Sequence, residues 1–215
     1  MLTLGQTLKL ILSSPLLNDR DARAPVPRFF PSGTAMPVPR PHHLIYGKLD
    51  DYLTGEELVD TDDERIRQSL SKMMVEEKGY HKDQLSPRRY IDTLFSRCFV
   101  RSTIEIVVTI ADREFLILRY GPGSLVSRER SAIAAARVLN PAYRIPLAVV
   151  TNGKDAELLD TSTGKILGYG LDSIPDCQTA AGLLPELVFL APQDSQQRER
   201  ELRILNAFDV ERCCF

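Results

Sequence analysis

Between Tyr90 and Tyr120 the apolar positions change their period. "YIDTLFSRCFV", "STIEIVVTI" and "EFLILRY" are rich in β-branched and aromatic residues, and "ADR" separates the last two, so the stretch predicts an antiparallel β-meander. Upstream, "DTDDERIRQSLSKMMVEEKGY" places Ile66, Leu70, Met73 and Met74 on one helical face. Thr61 and Glu64 have capping-box spacing, Asp62 and Asp63 suit the first turn, and Gly79 is positioned to close the helix after roughly four turns. The Met pair is core packing. Downstream, "SRERSAIAAARVLN" predicts an alanine-rich helix stopped by Asn140-Pro141. "IPLAVVTNG" is almost wholly apolar, the pattern of a strand covered on both faces, and Asn152-Gly153 ends it in a turn. "DAELLDTSTGKILGYG" predicts a further hairpin around Thr163-Gly164. Helix, three strands, helix, strand and hairpin together give an α/β fold, a mixed β-sheet flanked by helices.

The ends of the chain break this pattern. Residues 21 to 41, "DARAPVPRFFPSGTAMPVPRP", hold six prolines, which remove backbone donors and favour an extended segment. Three parts are therefore expected: an N-terminal arm over 1–41 that opens on a leucine-rich, helix-like piece, a domain over 42–192, and a charged C-terminal helix and tail over 193–215. At 215 residues, 43% hydrophobic and 26% charged, the chain is long enough for one well-buried core. A net charge of -2 gives no whole-chain footprint for nucleic acid, so such binding needs a local basic patch. Cys98, Cys177, Cys213 and Cys214 form no CxxC pair and no zinc spacing with the three histidines, which points to a reducing compartment. No apolar run reaches the length of a membrane span, and the start lacks the basic region of a secretion leader, so a cytoplasmic protein without membrane contact is expected. His42-His43 reads as exposed and inert. The Cys213-Cys214 pair reads either as a redox or metal handle or as an idle terminus.

Three separated stretches, "DERIRQSLSKMMVEEKGY", "IEIVVTIADREFLIL" and "IPLAVVTNG" followed by "DAELLD", carry a resemblance. Their order resembles the restriction-endonuclease-like PD-(D/E)xK fold and, more narrowly, the N-terminal domain of type I restriction enzyme R subunits, over residues 44 to 160. "YGKLDDYLTGEELVDTDDERIRQ", "GSLVSRER" and "AFD" are similar to a short stand-alone form without a helicase motor. Nothing resembles a Walker A loop, so ATP use is not implied. In that family an aspartate on the first strand of the pair, and a glutamate and lysine two apart on the second, converge on magnesium and the scissile phosphate. The matching positions here are Glu105, Arg119 and Gly121, with Tyr120 between the last two. The glutamine and tyrosine that relatives add on the next helix fall on Ala135 and Leu139.

These departures fall on the chemistry. Glu105 keeps an oxygen ligand, Arg119 replaces a ligand by a permanent cation, and Gly121 removes the ammonium. Glu64 is a candidate surviving ligand, with Asp112, Glu114 and Glu129 close in sequence, but no lysine lies between Arg119 and Lys154. Arg119 is expected either to pair with Glu105 across the strands or to join Ser124, Arg128 and Arg130, the Gly121–Ser124 backbone and the next helix's N-terminus in an anion pocket. "SRER" is otherwise a solvated helix start. Three functional readings follow. The leading one is a degenerate, non-catalytic nuclease-fold domain that binds DNA or another nucleic acid, or supports a DNA-processing assembly, with no cofactor. The second is an active magnesium-dependent endonuclease using Glu64, Glu105 and migrated residues. The third is a module for a protein partner or homo-oligomer, working through the Pro-rich arm and the charged C-terminal helix.

Overall fold

A computed structural model of the chain describes residues 45–95 and 97–209. The Pro-rich arm, His42-His43 and Cys213-Cys214 lie outside the described residues. The chain opens with an antiparallel hairpin, β1 (Ile45–Asp50) and β2 (Glu57–Thr61). Thr61 then caps α1 (Asp62–Lys72), its hydroxyl accepting the Glu64 amide at 3.2 Å, which satisfies one of the orphan donors of the first turn. A π-helical turn, Met73–Glu77, extends the helix, and Gly79 follows at φ 72°, a conformation glycine adopts without strain. The helix expected from the sequence is therefore present, with a final turn wound more loosely.

Six strands make the main sheet: β3 (Leu85–Phe95), β4 (Cys98–Ile110), β5 (Arg113–Tyr120), β6 (Leu147–Thr151), β7 (Ala156–Asp160) and β8 (Ile166–Tyr169), in that spatial order. All neighbours are antiparallel except β5 and β6, which run parallel because α2 (Glu129–Leu139) crosses between them. The fold is thus α/β, a mixed sheet with helices on both faces. "YIDTLFSRCFV" does not form one strand as the alternation suggested. It holds the β3–β4 hairpin, with Arg97 in the left-handed region at φ 65° and Leu94 opposite Phe99. The Ala111-Asp112 turn joins β4 to β5 with both residues at positive φ, as a type I′ hairpin turn requires.

The core has two layers. On one face Ile104, Val107, Ile117, Val150 and Leu159 pack under α2 and under Leu205 of α4 (Ser195–Asp209). On the other, Ile106, Val108, Phe115, Leu116, Leu118 and Val149 pack under Leu70, Met73 and Met74 of α1 and Ala180 of α3 (Cys177–Leu183). Both Met residues are core, as expected. In a regular strand Ile104 and Ile106 would share a face. Here they lie in opposite layers, so the alternation of β4 changes phase at Glu105. The β4–β5 pairing runs from Ile110↔Arg113 to Ile106↔Leu118, and beyond it the Tyr120 amide bonds to the Glu105 carboxylate instead of a strand carbonyl. Among the described residues no helix is long and apolar enough to cross a membrane.

Candidate functional site: two sides of one sheet end

The phase change at Glu105 sends neighbouring chemistry to opposite faces. Glu105 is 2% exposed and looks toward α1. Its Oε2 accepts the Tyr120 amide at 2.8 Å, and its Oε1 lies 3.9 Å from Nη2 of Arg67. Arg67 also binds Glu64 Oε2 through Nη1, one helical turn back. The other Glu64 oxygen accepts Gln68 Nε2 at 2.7 Å, and that amide also donates to Asp51 at 3.0 Å. Arg88 from β3 completes the group, bonding Asp51 through Nη1 and Glu56 through Nη2 at 3.0 Å. Asp51, Glu64, Arg67, Gln68 and Glu105 are all buried. Burial pushes the Asp51 carboxyl up, but the Thr54 amide, the Arg88 guanidinium and Gln68 overcome this and bring it down to about 2.

Arg119 turns to the other side. It is 5% exposed, its Nη2 donates to Asp209 of α4 at 3.0 Å, its Nη1 to the Ser131 hydroxyl of α2, and its Nε to the Thr103 carbonyl at 3.2 Å. The Glu105–Arg119 pair expected from the strand register is therefore corrected to two separate pairs, Glu105 with Arg67 and Arg119 with Asp209. The physical reason is the phase change in β4, which points Glu105 at α1 while Arg119 faces α2 and α4. Ala135 is fully buried and Leu139 packs against the core, so both positions serve packing.

Gly121 is buried, and its amide donates to the Thr151 carbonyl at 3.0 Å. That amide is thus committed to the sheet and leaves the expected backbone anion nest. The Arg128 side chain lies directly across Gly121: a methyl group there would meet Arg128 Cγ, Cδ and Nε at 3.2 Å. Arg128, Arg119, Tyr120, Ser131, Val150 and Asp209 line a small cleft. Arg128 makes no ion pair with another described residue, whereas Arg119 is held by Asp209. Ser124 and Arg130 are exposed and outside the cleft lining. The sheet thus brings Arg119 and Arg128 together, and α1 brings Glu64 to Glu105 through Arg67, but the seven residues proposed from sequence form no single site. Of the acidic residues near the motif, Glu114 is tied to Arg89 and Asn140, and Asp112 sits in the turn. Glu129 lies against Glu157 of β7, whose carboxyl is raised by burial and by the charges of Glu129 and Asp155.

Magnesium prefers several oxygen ligands in open octahedral geometry. Between Glu64 and Glu105 the structure places a guanidinium, and the remaining oxygens accept Gln68 and the Tyr120 amide. As arranged, these residues do not fit magnesium, and among the described residues no three His, Cys, Asp or Glu side chains are grouped to hold a metal. Sequence reasoning missed Arg67, Arg88, Asp51, Ser131 and Asp209. Only Arg67 left a local trace, because Glu64, Arg67 and Gln68 stand at i, i+3 and i+4 on one helical face.

Comparison with known families adds one finding. Residues 62–175, from the start of α1 past β8, match the family described as type I restriction enzyme R protein N terminus (HSDR_N). No curated protein and no solved structure matches the chain.

Proposed function

We propose, from the premise that this chain belongs to the type I restriction enzyme R protein N-terminus family, that it is a degenerate nuclease-fold domain of PD-(D/E)xK type that holds a nucleic-acid backbone without cutting it. The observation that carries this reading is Arg128, laid over the glycine at the family's lysine position with its guanidinium unpaired among the described residues. A guanidinium there supplies the phosphate contact that the lost ammonium would have made. It does not supply the metal ligand lost at Arg119, and Arg119 itself is neutralised by Asp209. Contact of this kind positions a backbone and reads no sequence.

The test is fluorescence anisotropy of labelled single- and double-stranded DNA across a salt series, beside plasmid incubation with magnesium or manganese. Arg128→Ala is expected to weaken binding and to lower the salt slope by about one unit, while wild type leaves the plasmid intact. Equal affinity for wild type and variant removes Arg128 from the interface, and metal-dependent nicking lost in Glu105→Gln replaces this reading with the endonuclease. A second reading, support of a DNA-processing assembly through a protein partner, is favoured by the exposed Leu94–Phe99 pair with Tyr90 at the β3–β4 hairpin. Binding of DNA unchanged by Leu94→Asp, with a change in assembly size by light scattering, separates the two.

A further inference from the structure

We propose that the α2 side of this sheet end holds single-stranded DNA, with a phosphate at Arg128 and an unpaired base stacked on Tyr169. This rests on the reading of Arg128 as a phosphate contact, and adds to it the strandedness of the ligand and a second contact residue.

Residues directly opposite one another in a sheet share a face, and neighbouring strands stand about 4.8 Å apart. The pairings Arg119↔Val150, Val150↔Glu157 and Glu157↔Tyr169 therefore lay one row of side chains across β5, β6, β7 and β8. The row lies on the face that α2 covers, where Val150 packs. Three strand steps put Tyr169 about 14 Å from Arg119. Arg128 marks the near end, sharing the cleft with Arg119 and Val150.

Both ends of this row are uncommitted. Arg128 has no ion pair with a described residue. Tyr169, at 71% exposure, is the most exposed large apolar side chain among the described residues, so α2 does not cover it. Tyr46 and Tyr90, the other strongly exposed tyrosines, carry Arg65 and Arg101 over their rings at 3.8 and 5.1 Å. Among the described residues no cation or ring lies against Tyr169, and its hydroxyl has no hydrogen-bond partner. A free guanidinium for phosphate and a bare π face for a base are the two groups that single-strand sites combine. In a duplex each base face is already covered by its neighbours and gives the ring nothing to stack on. An unpaired base offers that face whatever its identity.

The middle of the row sets the direction. Glu129 lies against Glu157 there, and neither carboxyl has an ion pair with a described residue. Negative charge at that point repels phosphate. A strand crossing the row therefore keeps its phosphate at the Arg128 end and presents bases, not backbone, toward β8.

Fluorescence anisotropy of the whole chain with a labelled thymidine oligonucleotide, and with a duplex of the same length, tests this. Wild type is expected to prefer the single strand. Tyr169→Ala is expected to weaken single-strand binding about tenfold and to leave duplex binding unchanged, while Tyr169→Phe, which keeps the ring, binds as wild type. The salt slope of Tyr169→Ala is expected to equal that of wild type, because no phosphate contact is lost, whereas Arg128→Ala lowers it by about one unit. An iododeoxyuridine oligonucleotide irradiated in complex with wild type is expected to cross-link to Tyr169, located by peptide mass spectrometry, a readout that needs no substitution. Preference for the duplex, equal losses on both ligands in Tyr169→Ala, tighter binding of a uridine RNA strand, or cross-links only at other residues overturns the proposal. Binding that depends on Arg128 but not on Tyr169 overturns it and leaves the proposed function standing; no DNA binding at all overturns both.

Discussion

Charge is handled differently on the two sides of the β4–β5 edge. On the α1 side Asp51 from the β1–β2 turn, Glu64 and Arg67 from α1, Arg88 from β3 and Glu105 from β4 each meet a charge of opposite sign within 4.0 Å. On the α2 side Arg119 and Asp209 form one buried pair, and above it Arg128 lies half-buried at the mouth of a cleft with no ionic partner among the described residues. Pairs buried together stabilise mainly because removing either member strands the other. A lone arginine at a rim contributes little to folding and remains available for a ligand. The same sheet end therefore holds a closed charge network and an open cation, and the family's three chemical positions divide between them.

The largest expected effect separates the two directly. Arg88→Met leaves Asp51 buried without its guanidinium and is expected to cost about 3–5 kcal/mol in urea unfolding; Arg128→Ala is expected to stay within about 0.5 kcal/mol of wild type. Comparable losses in both would erase the distinction. Acid sharpens it next. The Asp51 carboxyl is held at about 2, below its ordinary 3.8, so its contribution is complete above pH 4 and is lost as pH falls from about 4 through 2. That contribution is about 2 kcal/mol, and a stability-against-pH curve for Asp51→Asn is expected to flatten in this window. Glu157 has the opposite sign. Its carboxyl is raised by burial and by Glu129, so the stability it provides is present at low pH and lost as pH rises through its folded value. Glu157→Gln is accordingly expected to gain up to about 1 kcal/mol at neutral pH, read in the same urea titration. It also supplies a donor beside Glu129, at a place where Glu157 Oε2 now has none.

Elements set by local chemistry were legible in the sequence. The Thr61 cap, the Gly79 exit, the β4–β5 turn at "ADR", the Asn140-Pro141 stop and the Thr163-Gly164 turn each depend on a few adjacent residues, and each places an element boundary correctly to within a few positions. The β1–β2 hairpin and α3 gave no comparable periodic signal. The site was legible only in part, because its partners are decided by tertiary geometry. Register arithmetic put Glu105 opposite Arg119, and a phase change of one residue in β4 sent them to different faces. Asp209 meets Arg119 across 90 residues and Asp51 meets Arg88 across 37, separations at which pattern reading has no purchase.

The smallest perturbation bears on the open side. Gly121 does not occupy the left-handed region, so alanine is compatible with its backbone; the new methyl would stand 3.2 Å from Arg128 Cγ and Cδ. The arginine side chain is flexible and gives way by a few tenths of an ångström, so Gly121→Ala is expected to cost under about 1 kcal/mol. Its charge, and the net charge of the protein, stay the same. If Arg128 grips a phosphate from its seat over Gly121, DNA affinity falls in Gly121→Ala although no cation has been removed, and the salt slope hardly changes because the number of contacts is preserved. Adding Arg128→Ala to Gly121→Ala then lowers affinity no further than Arg128→Ala alone, since both act on one contact. Additive losses from the two substitutions would mean that Arg128 and Gly121 act separately, and the cleft above Arg119 would no longer be where the backbone sits.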